Sequence, residues 1–380
     1  MKKILAYSVG RSDLYRYSPI LKYLNNQQNI ELRLVASHLH YMDLFGKTYR
    51  NFTKEFKIEK RGHLKILKDN SSSMIKKFSD ELNFFSKILL LRKPDIILVL
   101  GDRFEMLAPV IASIPNNVPV VHIFGGAVTI GAIDELIRHS ITKMSHLHLT
   151  AHKSYSDRIK KMGEEEWRVK TIGMPDLRIL KNQKKLSIKD ISKMINLNFQ
   201  HKTLLVTLHP TSREKIKLTD QIDNLLAVIK KTNLQAIFTY PNSDLGYQEI
   251  IDKFKKICAT NKKFKLVKFS SKLLYSNLLR YCCAMIGNSS SGIVEAASFK
   301  LPVINLGIRQ EGKIKPKNII NTNFSKKDIL NAINKACSKR FELSLKKLKN
   351  PYESSLDIKK ICNFITRKYD TKKLLLKKFI

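Results

Sequence analysis

The sequence predicts an α/β protein with two domains built on parallel sheets, and three observations lead to this prediction. Short apolar runs alternate with longer amphipathic runs from end to end, which is typical of parallel sheets with helices on both faces. The alternation stops in the polar, lysine-rich stretch 173–185 and resumes at Thr203. A chain of 380 residues is long enough for two domains with separate cores. We therefore expect two α/β halves of similar size that face each other across a cleft.

The predicted elements follow from this alternation. Ten short apolar runs are interpreted as strands: residues 3–8, 31–37, 96–100, 118–123, 146–150, 203–208, 235–239, 265–268, 284–286 and 303–306. Among the amphipathic runs, predicted helices are residues 18–25, 68–92, 105–114 and 134–144. We place the N-terminal domain at residues 1–175, the C-terminal domain at 176–355, and a C-terminal helix (356–368) with a basic tail at 356–380.

The composition is that of a globular protein with an unusually high positive charge. The formal net charge is +38, with 43% hydrophobic and 27% charged residues. Such a charge could attract nucleic acid or a membrane surface. Because the lysines are scattered over almost every segment, we attribute the charge to the whole composition and expect no nucleic-acid partner. The C-terminal KKLLLKKFI is the best candidate for weak association with a membrane surface, and an anionic small substrate would also be attracted.

Two further features of the sequence indicate a cytoplasmic protein. The start, MKKILAYSVG, has a short apolar run that reads as a first strand and not as a signal peptide. The most apolar segment, residues 94–100, is far shorter than the roughly 20 residues of a membrane span, so we expect no stable membrane insertion.

The five cysteines contain no CxxC pair and are predicted to be reduced thiols. The histidines offer no convincing set of three ligands, so we expect no metal site.

Polar residues follow several predicted strands, at the edge where parallel sheets bind ligands. Arg11 follows the first strand, where it is either a solvated loop residue or a site residue. Asp102 and Arg103, in GDRFE, follow a fully apolar strand; Asp102 either caps the next helix or places a carboxylate in the cleft. Asp134 and Arg138 share a face of a later helix, as an ordinary ion pair or as part of a site, and His139 is adjacent.

The second half of the chain repeats this arrangement. His209 ends one predicted strand, and Asn242 lies in the loop after the next one, where it could contact a sugar or a base. A strand, then GNSSSG (287–292), then a helix places backbone N–H groups and the hydroxyls of Ser289, Ser290 and Ser291 at a helix N-terminus, which favours a phosphate. An ordinary polar loop is the alternative.

Two residues beside this serine loop extend the predicted phosphate site. Glu295, in the first helical turn, would repel a phosphate and is predicted to accept hydrogen bonds from ribose hydroxyls. Arg309 follows the next strand and could reach the same diphosphate.

Taken together, these stretches resemble the UDP-N-acetylglucosamine 2-epimerase family, and within it the hydrolysing branch that releases free N-acetylmannosamine for sialic acid synthesis. The resemblance covers roughly residues 1–355 and depends on ASHL with GKTYR, PDIILVLGDRFE, HIFGG followed by DELIRHSITKMSHLHLT, HP, PNSD, GNSSSGIVEA and PVINLGIRQEG, in this order. It implies a glycosyltransferase-B-like fold, an active site in the cleft between two Rossmann-like domains, and no metal or other cofactor.

The resemblance also implies roles for the candidate residues. The family eliminates UDP across C1–C2 of the sugar to a glycal and then adds water at C1. Asp102, Asp134 and His209 match its catalytic or sugar-contacting groups, and Arg138 with His139 matches an Arg-His pair that shapes the site. The matches for UDP binding are the three serines, Glu295 and Arg309, with Arg11 on the phosphates; Arg103 and Asn242 are further candidates for substrate binding.

One position departs from the family pattern. Where the family has a catalytic glutamate after the double glycine, this chain has Ala127, whose methyl group cannot transfer a proton. We expect a hydrolysing 2-epimerase acting on UDP-GlcNAc or on a UDP-diacetamido-trideoxy sugar, and a homo-oligomer. A UDP-sugar-binding protein of reduced or lost activity and a glycosyltransferase of the same fold remain as alternatives.

Overall fold

The computed structural model describes residues 1–42, 48–59, 70–130, 132–211, 214–242, 244–268, 271–354 and 356–378. Unit 1 consists of Met1–Ala127, Ile133–Asp176 and Tyr352–Ile380, and unit 2 consists of Val128–Ala132 and Leu177–Pro351. The domain limits predicted at residues 175 and 355 stay predictions, and each unit is described by itself.

Unit 1 is built on a seven-stranded parallel sheet. Its strands are β1 (Lys2–Ser8), β2 (Ile30–Ala36), β3 (Lys57–Glu59), β4 (Ile96–Leu100), β5 (Val120–Ile123), β6 (Leu147–Thr150) and β7 (Val169–Thr171), in the order β3-β2-β1-β4-β5-β6-β7. The central strand β4 is buried along its whole length, as expected for a parallel sheet covered on both faces. Between β1 and β4 the strand order changes direction, which opens a crevice at their carboxyl ends.

Unit 2 contains a six-stranded parallel sheet. Its strands are β8 (Thr203–Thr207), β9 (Gln235–Thr239), β10 (Phe264–Val267), β11 (Ala284–Gly287), β12 (Val303–Leu306) and β13 (Ile319–Thr322), in the order β10-β9-β8-β11-β12-β13. Here the order changes direction between β8 and β11. The loops that contain His209 and the three serines follow these two strands, so the sheet topology brings them to one edge.

Helices separate the strands along the chain. In the described residues they are α1 (Arg11–Asn25), α2 (Tyr49–Thr53), α3 (Ser71–Arg92), α4 (Leu107–Ser113), α5 (Asp134–Met144), α6 (Lys153–Lys161), α7 (Asp176–Lys181), α8 (Ile188–Ile195), α9 (Leu218–Lys231), α10 (Tyr247–Thr260), α11 (Lys272–Tyr281), α12 (Ser290–Val294), α13 (Lys326–Ala336), α14 (Lys339–Ser344), α15 (Ile358–Thr366) and α16 (Thr371–Leu375).

The ten predicted strands are all present, with ends that differ by at most two residues, so the predicted α/β class with two parallel sheets is confirmed. Three strands escaped prediction: β3, β7 and β13. Each lies at the edge of its sheet and has exposed or half-buried residues, so its sequence lacks the continuous apolar run of a central strand.

The helix predictions were accurate in the interior of elements and weaker at their starts. Helix α5 has the predicted limits, whereas α1 begins seven residues before the predicted start at residue 18. The carboxylate of Asp13 accepts hydrogen bonds from the backbone N–H groups of Val9 and Gly10, at 3.0 and 3.2 Å, and so stabilises the first turn. Pro19 lies inside the helix. The predicted start of α3 at residue 68 lies outside the described residues.

The C-terminal tail is anchored to unit 1. The buried guanidinium of Arg168 donates to the carbonyl oxygens of Lys373 and Leu374 at 2.8 and 2.9 Å. The ammonium of Lys377 donates to the carbonyl of Ser145 at 2.6 Å and to the carboxylate of Glu164 at 2.7 Å. The charged groups of Arg168 and Lys377 are therefore paired with acceptors of the protein itself. Within the part of the chain that the structure describes, no helix is long and apolar enough to cross a membrane.

Candidate active site

In unit 1 the candidate site is organised around the guanidinium of Arg138. This side chain is only 1% exposed, extends from α5 and forms an ion pair with Asp102, which directly follows β4. Its Nη1 also donates to Oε2 of Glu135 at 2.8 Å and to the carbonyl oxygen of Ala127 at 3.0 Å. The structure therefore brings the ends of β4 and β5 and the start of α5 together through one buried cation.

Three carboxylates compensate the charge of Arg138. Burial by itself would lower the pKa of Arg138, but the nearby charges of Asp102, Glu135 and Asp134 outweigh it and raise the pKa. Arg138 therefore stays charged, and truncating it would leave Asp102 and Glu135 as neighbouring anions without their cation. Asp102 and Glu135 are 30% and 20% exposed, so solvent reaches both carboxylates.

His139 belongs to the same cluster through Glu135. Its Nε2 lies 3.0 Å from Oε1 of Glu135, one helical turn earlier. Glu135 thus contacts both members of the predicted Arg-His pair. From the sequence, Glu135 is one of three carboxylates, with Asp102 and Asp134, that could compensate for Ala127, and its place three and four residues before Arg138 and His139 is a further signal.

His122, on β5, contacts the loop that carries Asp102. Its Nε2 lies 2.8 Å from the carbonyl oxygen of Gly101, which can only accept, so Nε2 carries the proton and Nδ1 accepts from the Thr142 hydroxyl at 3.1 Å. Burial lowers the pKa of His122 to about 3, so the ring is neutral at pH 7. A Cβ at Gly125 would lie 2.6 Å from Nδ1 of His122, which explains the first glycine of the pair. His122 therefore positions the residue before Asp102.

The other predicted cations of unit 1 are Arg11, which follows β1, and Arg103, which follows β4. Burial raises the pKa of Asp13, while the positive charge of Arg103 and the hydrogen bonds from Val9 and Gly10 act in the opposite direction. Arg103 also lies 3.6 Å from the carboxylate of Glu105. Arg11 is the first residue of α1, and its side chain lies outside what the structure describes.

In unit 2 the candidate site is organised around Asn288, a neutral and fully buried residue. Its Oδ1 accepts from the backbone N–H of His209 at 2.7 Å, and its Nδ2 donates to the His209 carbonyl at 2.8 Å. Its own carbonyl accepts from Arg309 at 3.3 Å and from Gln310 at 2.8 Å. One asparagine thereby joins the loops after β8, β11 and β12. The preceding Gly287 has φ +140°, and a Cβ there would overlap the Thr207 carbonyl.

The ring of His209 has a defined orientation. Its Nδ1 accepts a hydrogen bond from the backbone N–H of Asn242 at 2.9 Å, so the neutral ring carries its proton on Nε2. The contact between these two candidate residues is therefore made by the main chain of Asn242. His209 is suited to donate a hydrogen bond, and less to remove a proton.

The serine loop has a more closed hydrogen-bond network than the sequence suggests. Ser289 is the N-cap of α12, and its hydroxyl accepts from the backbone N–H of Ser291 at 3.3 Å. The hydroxyl of Ser291 donates to Glu295 and also bonds the Tyr275 hydroxyl. Ser290, the first residue of α12, is half-buried. Tyr275, on α11, was missed because its distance from the loop in sequence offers no signal.

Arg309 lies beside this loop, as predicted for a residue that follows β12. It is 8% exposed, and its Nη2 lies 3.6 Å from the carboxylate of Asp244. Gln310, which is fully buried and bonds the same carbonyl as Arg309, was not among the candidates. The structure therefore brings His209, Asn242, Ser289–Ser291 and Arg309 together in unit 2, and Asp102, Asp134, Arg138 and His139 together in unit 1.

Comparison with known proteins places these features in a family context. A family model described as UDP-N-acetylglucosamine 2-epimerase matches residues 22–366. A GDP/UDP-N,N'-diacetylbacillosamine 2-epimerase (hydrolyzing) from Campylobacter jejuni is 36% identical over 90% of this chain and 89% of its own length. The polysialic acid biosynthesis protein P7 of Escherichia coli is 33% identical over 93% and 90%.

The same comparison confirms the predicted fold. The crystal structure of UDP-GlcNAc 2-epimerase from Neisseria meningitidis bound to UDP-GlcNAc superposes with a TM-score of 0.80 at 16% identity, covering 97% of this chain and 100% of that one. The architecture is therefore glycosyltransferase-B-like, with two Rossmann-like parallel sheets.

Proposed function

The chain belongs to the UDP-N-acetylglucosamine 2-epimerase family, and from this premise we propose that it hydrolyses a UDP-linked 2-acetamido sugar and inverts C2. The products would be UDP and the free epimeric sugar. The observation that carries the proposal in the structure is the buried Arg138, which holds Asp102 at the carboxyl end of β4 beside Glu135 and the main chain of Ala127.

The chemistry has two proton transfers at C2. A base removes the C2 proton, the C2–H electron pair forms the C1–C2 double bond, and the C1–O bond breaks so that its electrons leave with UDP. Water then adds its hydroxyl to C1 and gives its other proton to a base of the site, while an acid delivers a proton to C2 on the opposite face. We assign one of these transfers to the pair Asp102 and Asp134, with His209 as a hydrogen-bond donor, because carboxylates near a buried cation suit acid–base work.

For the nucleotide, we assign the unit 2 cluster. Ser289, Ser290 and Ser291 would bind the diphosphate through hydroxyls and backbone N–H groups, together with Arg309. Glu295, which accepts from Ser291, would also bind the ribose. Asn242 with His209 would contact the sugar or base. In unit 1, Arg11, Arg103 and His139 would bind the substrate directly, and Arg138 would act through the carboxylates that it holds.

Two sugars are the leading substrates. The Campylobacter relative is named for N,N'-diacetylbacillosamine, and Ala127 leaves more space than the family glutamate, so we expect a UDP-diacetamido-trideoxyhexose to be preferred over UDP-GlcNAc. The product would be an intermediate for a nonulosonic acid of the legionaminic or sialic type.

The test is direct incubation of the protein with each nucleotide sugar, followed by NMR. Release of UDP together with a free C2-epimeric sugar, with solvent ¹⁸O at C1, would support the proposal. Binding of UDP without any release from either sugar would contradict it and favour a binding protein. Release of UDP only when a sugar acceptor is added would favour a glycosyltransferase.

The predicted homo-oligomer has a candidate surface on unit 1. Ile114 after α4, and Ile133 and Leu136 at the start of α5, are 54%, 42% and 63% exposed. Ile133 and Leu136 are three residues apart and so lie on one face at the start of α5, where exposed apolar side chains can contribute to a subunit interface. We expect a dimer or tetramer by light scattering.

The five cysteines are free, which suits the reducing cytoplasm predicted for the protein.

A further inference from the structure

We propose that Glu135 is a second proton-transfer group of this site and does the work that Ala127 cannot do. The inference depends on the proposed epimerase function, because it concerns how the two proton transfers at C2 are divided. Inversion of C2 needs one group on each face of the sugar: a base that removes the proton and an acid that returns one from the other side.

The position of Glu135 is defined by a nitrogen that it shares with residue 127. Nη1 of Arg138 lies 2.8 Å from Oε2 of Glu135 and 3.0 Å from the carbonyl oxygen of Ala127. Because one nitrogen contacts both oxygens, the carboxylate of Glu135 must lie beside the main chain of Ala127. The alanine side chain is a methyl group on a half-buried residue, so it leaves room for a sugar ring next to this carboxylate.

The orientation of Glu135 is set by two donors. Oε2 accepts from Arg138, and Oε1 lies 3.0 Å from Nε2 of His139, so two neighbours on the same helix fix the orientation of the carboxylate. The side chain is 20% exposed while Arg138 is 1% exposed, so a ligand can reach the carboxylate without displacing the cation.

Charge balance favours the same assignment. Arg138 contacts two carboxylates, Asp102 through Nη2 and Glu135 through Nη1. When Glu135 takes the proton from C2, it becomes neutral, and Arg138 keeps its ion pair with Asp102, so the excess of negative charge around Arg138 decreases. In the first step the C2–H bond breaks and an O–H bond forms on Glu135, while the electron pair moves into the C1–C2 double bond and UDP leaves.

The test compares two glutamates in the same structural setting. Glu165 pairs with the buried Arg168 at a spacing of three residues and is 19% exposed, as Glu135 pairs with Arg138 at the same spacing and is 20% exposed. The variants are Glu135→Gln, Glu135→Ala and, as the matched control, Glu165→Gln. We expect Glu135→Gln to lower kcat by about 10²–10⁴-fold with little change in UDP affinity, and Glu165→Gln to stay within about twofold of the wild type.

Chemical rescue separates proton transfer from a purely structural role. Formate and acetate, added to Glu135→Ala, should restore kcat, and the restored rate should depend on the pKa of the added acid. The substrate is whichever of UDP-GlcNAc and UDP-N,N'-diacetylbacillosamine the wild type hydrolyses faster.

Several outcomes would overturn the proposal. A loss below about 100-fold in Glu135→Gln, an equal loss in Glu165→Gln, or a rescue that is absent or independent of acid strength would each show that Glu135 does not transfer the proton. If the wild type releases no UDP from either sugar, the proposed function falls and this inference falls with it. If the wild type is active and only the Glu135 results fail, the proposed function stands.

Discussion

The clusters in unit 1 and unit 2 are built from opposite kinds of interaction, although each follows the central strands of a parallel sheet. In unit 1 a buried cation, Arg138, forms ion pairs with Asp102, in the loop after β4, and with Glu135, one turn earlier on α5. In unit 2 a buried neutral residue, Asn288, joins three loops by hydrogen bonds to His209, Arg309 and Gln310. The first arrangement suits groups that gain and lose protons, and the second suits a surface of fixed dipoles that binds an anion.

This difference affects how each cluster should respond to change. Removing one member of a buried ion pair leaves an uncompensated charge, at a cost of about 3–5 kcal/mol. Removing one neutral hydrogen bond costs roughly 0.5–1.5 kcal/mol, and about 1.5–3 kcal/mol if its partner is charged. We therefore expect unit 1 variants to affect turnover and stability strongly, and unit 2 variants to affect UDP binding in smaller steps.

The largest effect is expected for Arg138→Met. The variant leaves Asp102 and Glu135 as adjacent anions, so kcat should fall by at least about 10³-fold and the free energy of unfolding by about 3–5 kcal/mol. Steady-state UDP release measures kcat, and urea unfolding measures the free energy of unfolding. Arg168→Met is the control, because it also removes a buried guanidinium from unit 1 and should lower stability while folded molecules keep their kcat. Equal kcat losses in both variants would show that Arg138 acts only on folding.

Acid should unfold unit 1 through its buried histidines. Burial lowers the pKa of His122 to about 3 and that of His146 to about 4, and it also lowers the pKa of His148. Between these values and about 6.5 the unfolded chain binds more protons than the folded one, so stability falls as the pH falls through this window, by on the order of a few kcal/mol. Trp167, the single tryptophan, lies in unit 1, so its fluorescence should report the transition.

The control for this pH dependence is His122→Gln, which removes the proton-binding site. Between pH 7 and pH 4 its free energy of unfolding should therefore fall less than that of the wild type, when each protein is compared with its own value at pH 7. A wild-type protein whose stability is constant from pH 7 to pH 4 would contradict the assignment of neutral buried rings.

A smaller effect is expected for the serine loop. Ser290→Ala together with Ser291→Ala removes two hydroxyls from the proposed diphosphate site, and Ser291 also bonds Glu295. If each hydrogen bond to a charged group contributes roughly 1.5 kcal/mol or more, the Kd for UDP should rise by about 10²-fold. Calorimetry measures this change, with Ser325→Ala, which removes the N-cap hydroxyl of α13, as a control that keeps UDP affinity. Unchanged affinity in the double variant would exclude the loop as the diphosphate site.

The smallest effect concerns residue 127. Because its carbonyl accepts from Arg138, a glutamate side chain there would bring a carboxylate close to the site of Glu135. In a Glu135→Gln background, Ala127→Glu should raise kcat by at least about tenfold. The variant Ala127→Gln, whose side chain has the shape of glutamate but no acid group, should not. The measurement is UDP release from UDP-GlcNAc. An equal gain with both substitutions would show that size at position 127 matters and that its acid group does not.

Much of the fold could be predicted because the signals are local. The strand Ile96–Leu100 and the helix Asp134–Met144 have the predicted limits, since a continuous apolar run and a helical period survive in almost any tertiary setting. The edge strands β3, β7 and β13 and the early start of α1 were missed. Edge strands are half-exposed and lack an apolar run, and the start of α1 depends on the Asp13 carboxylate and not on hydrophobic period.

The sequence by itself determined which loops carry polar groups: Asp102 after β4, the Asp134–His139 segment after β5, and the serines after β11 all lie at carboxyl ends of strands, because parallel strands share one direction. Only the tertiary structure decided which of these groups meet. The ion pair of Arg138 with Asp102, 36 positions away, and the link from Asn288 to His209, 79 positions away, depend on side chains that meet between different elements of the sheet. Such contacts leave no periodic trace in the chain, because distance in space is set by sheet order and not by spacing in sequence.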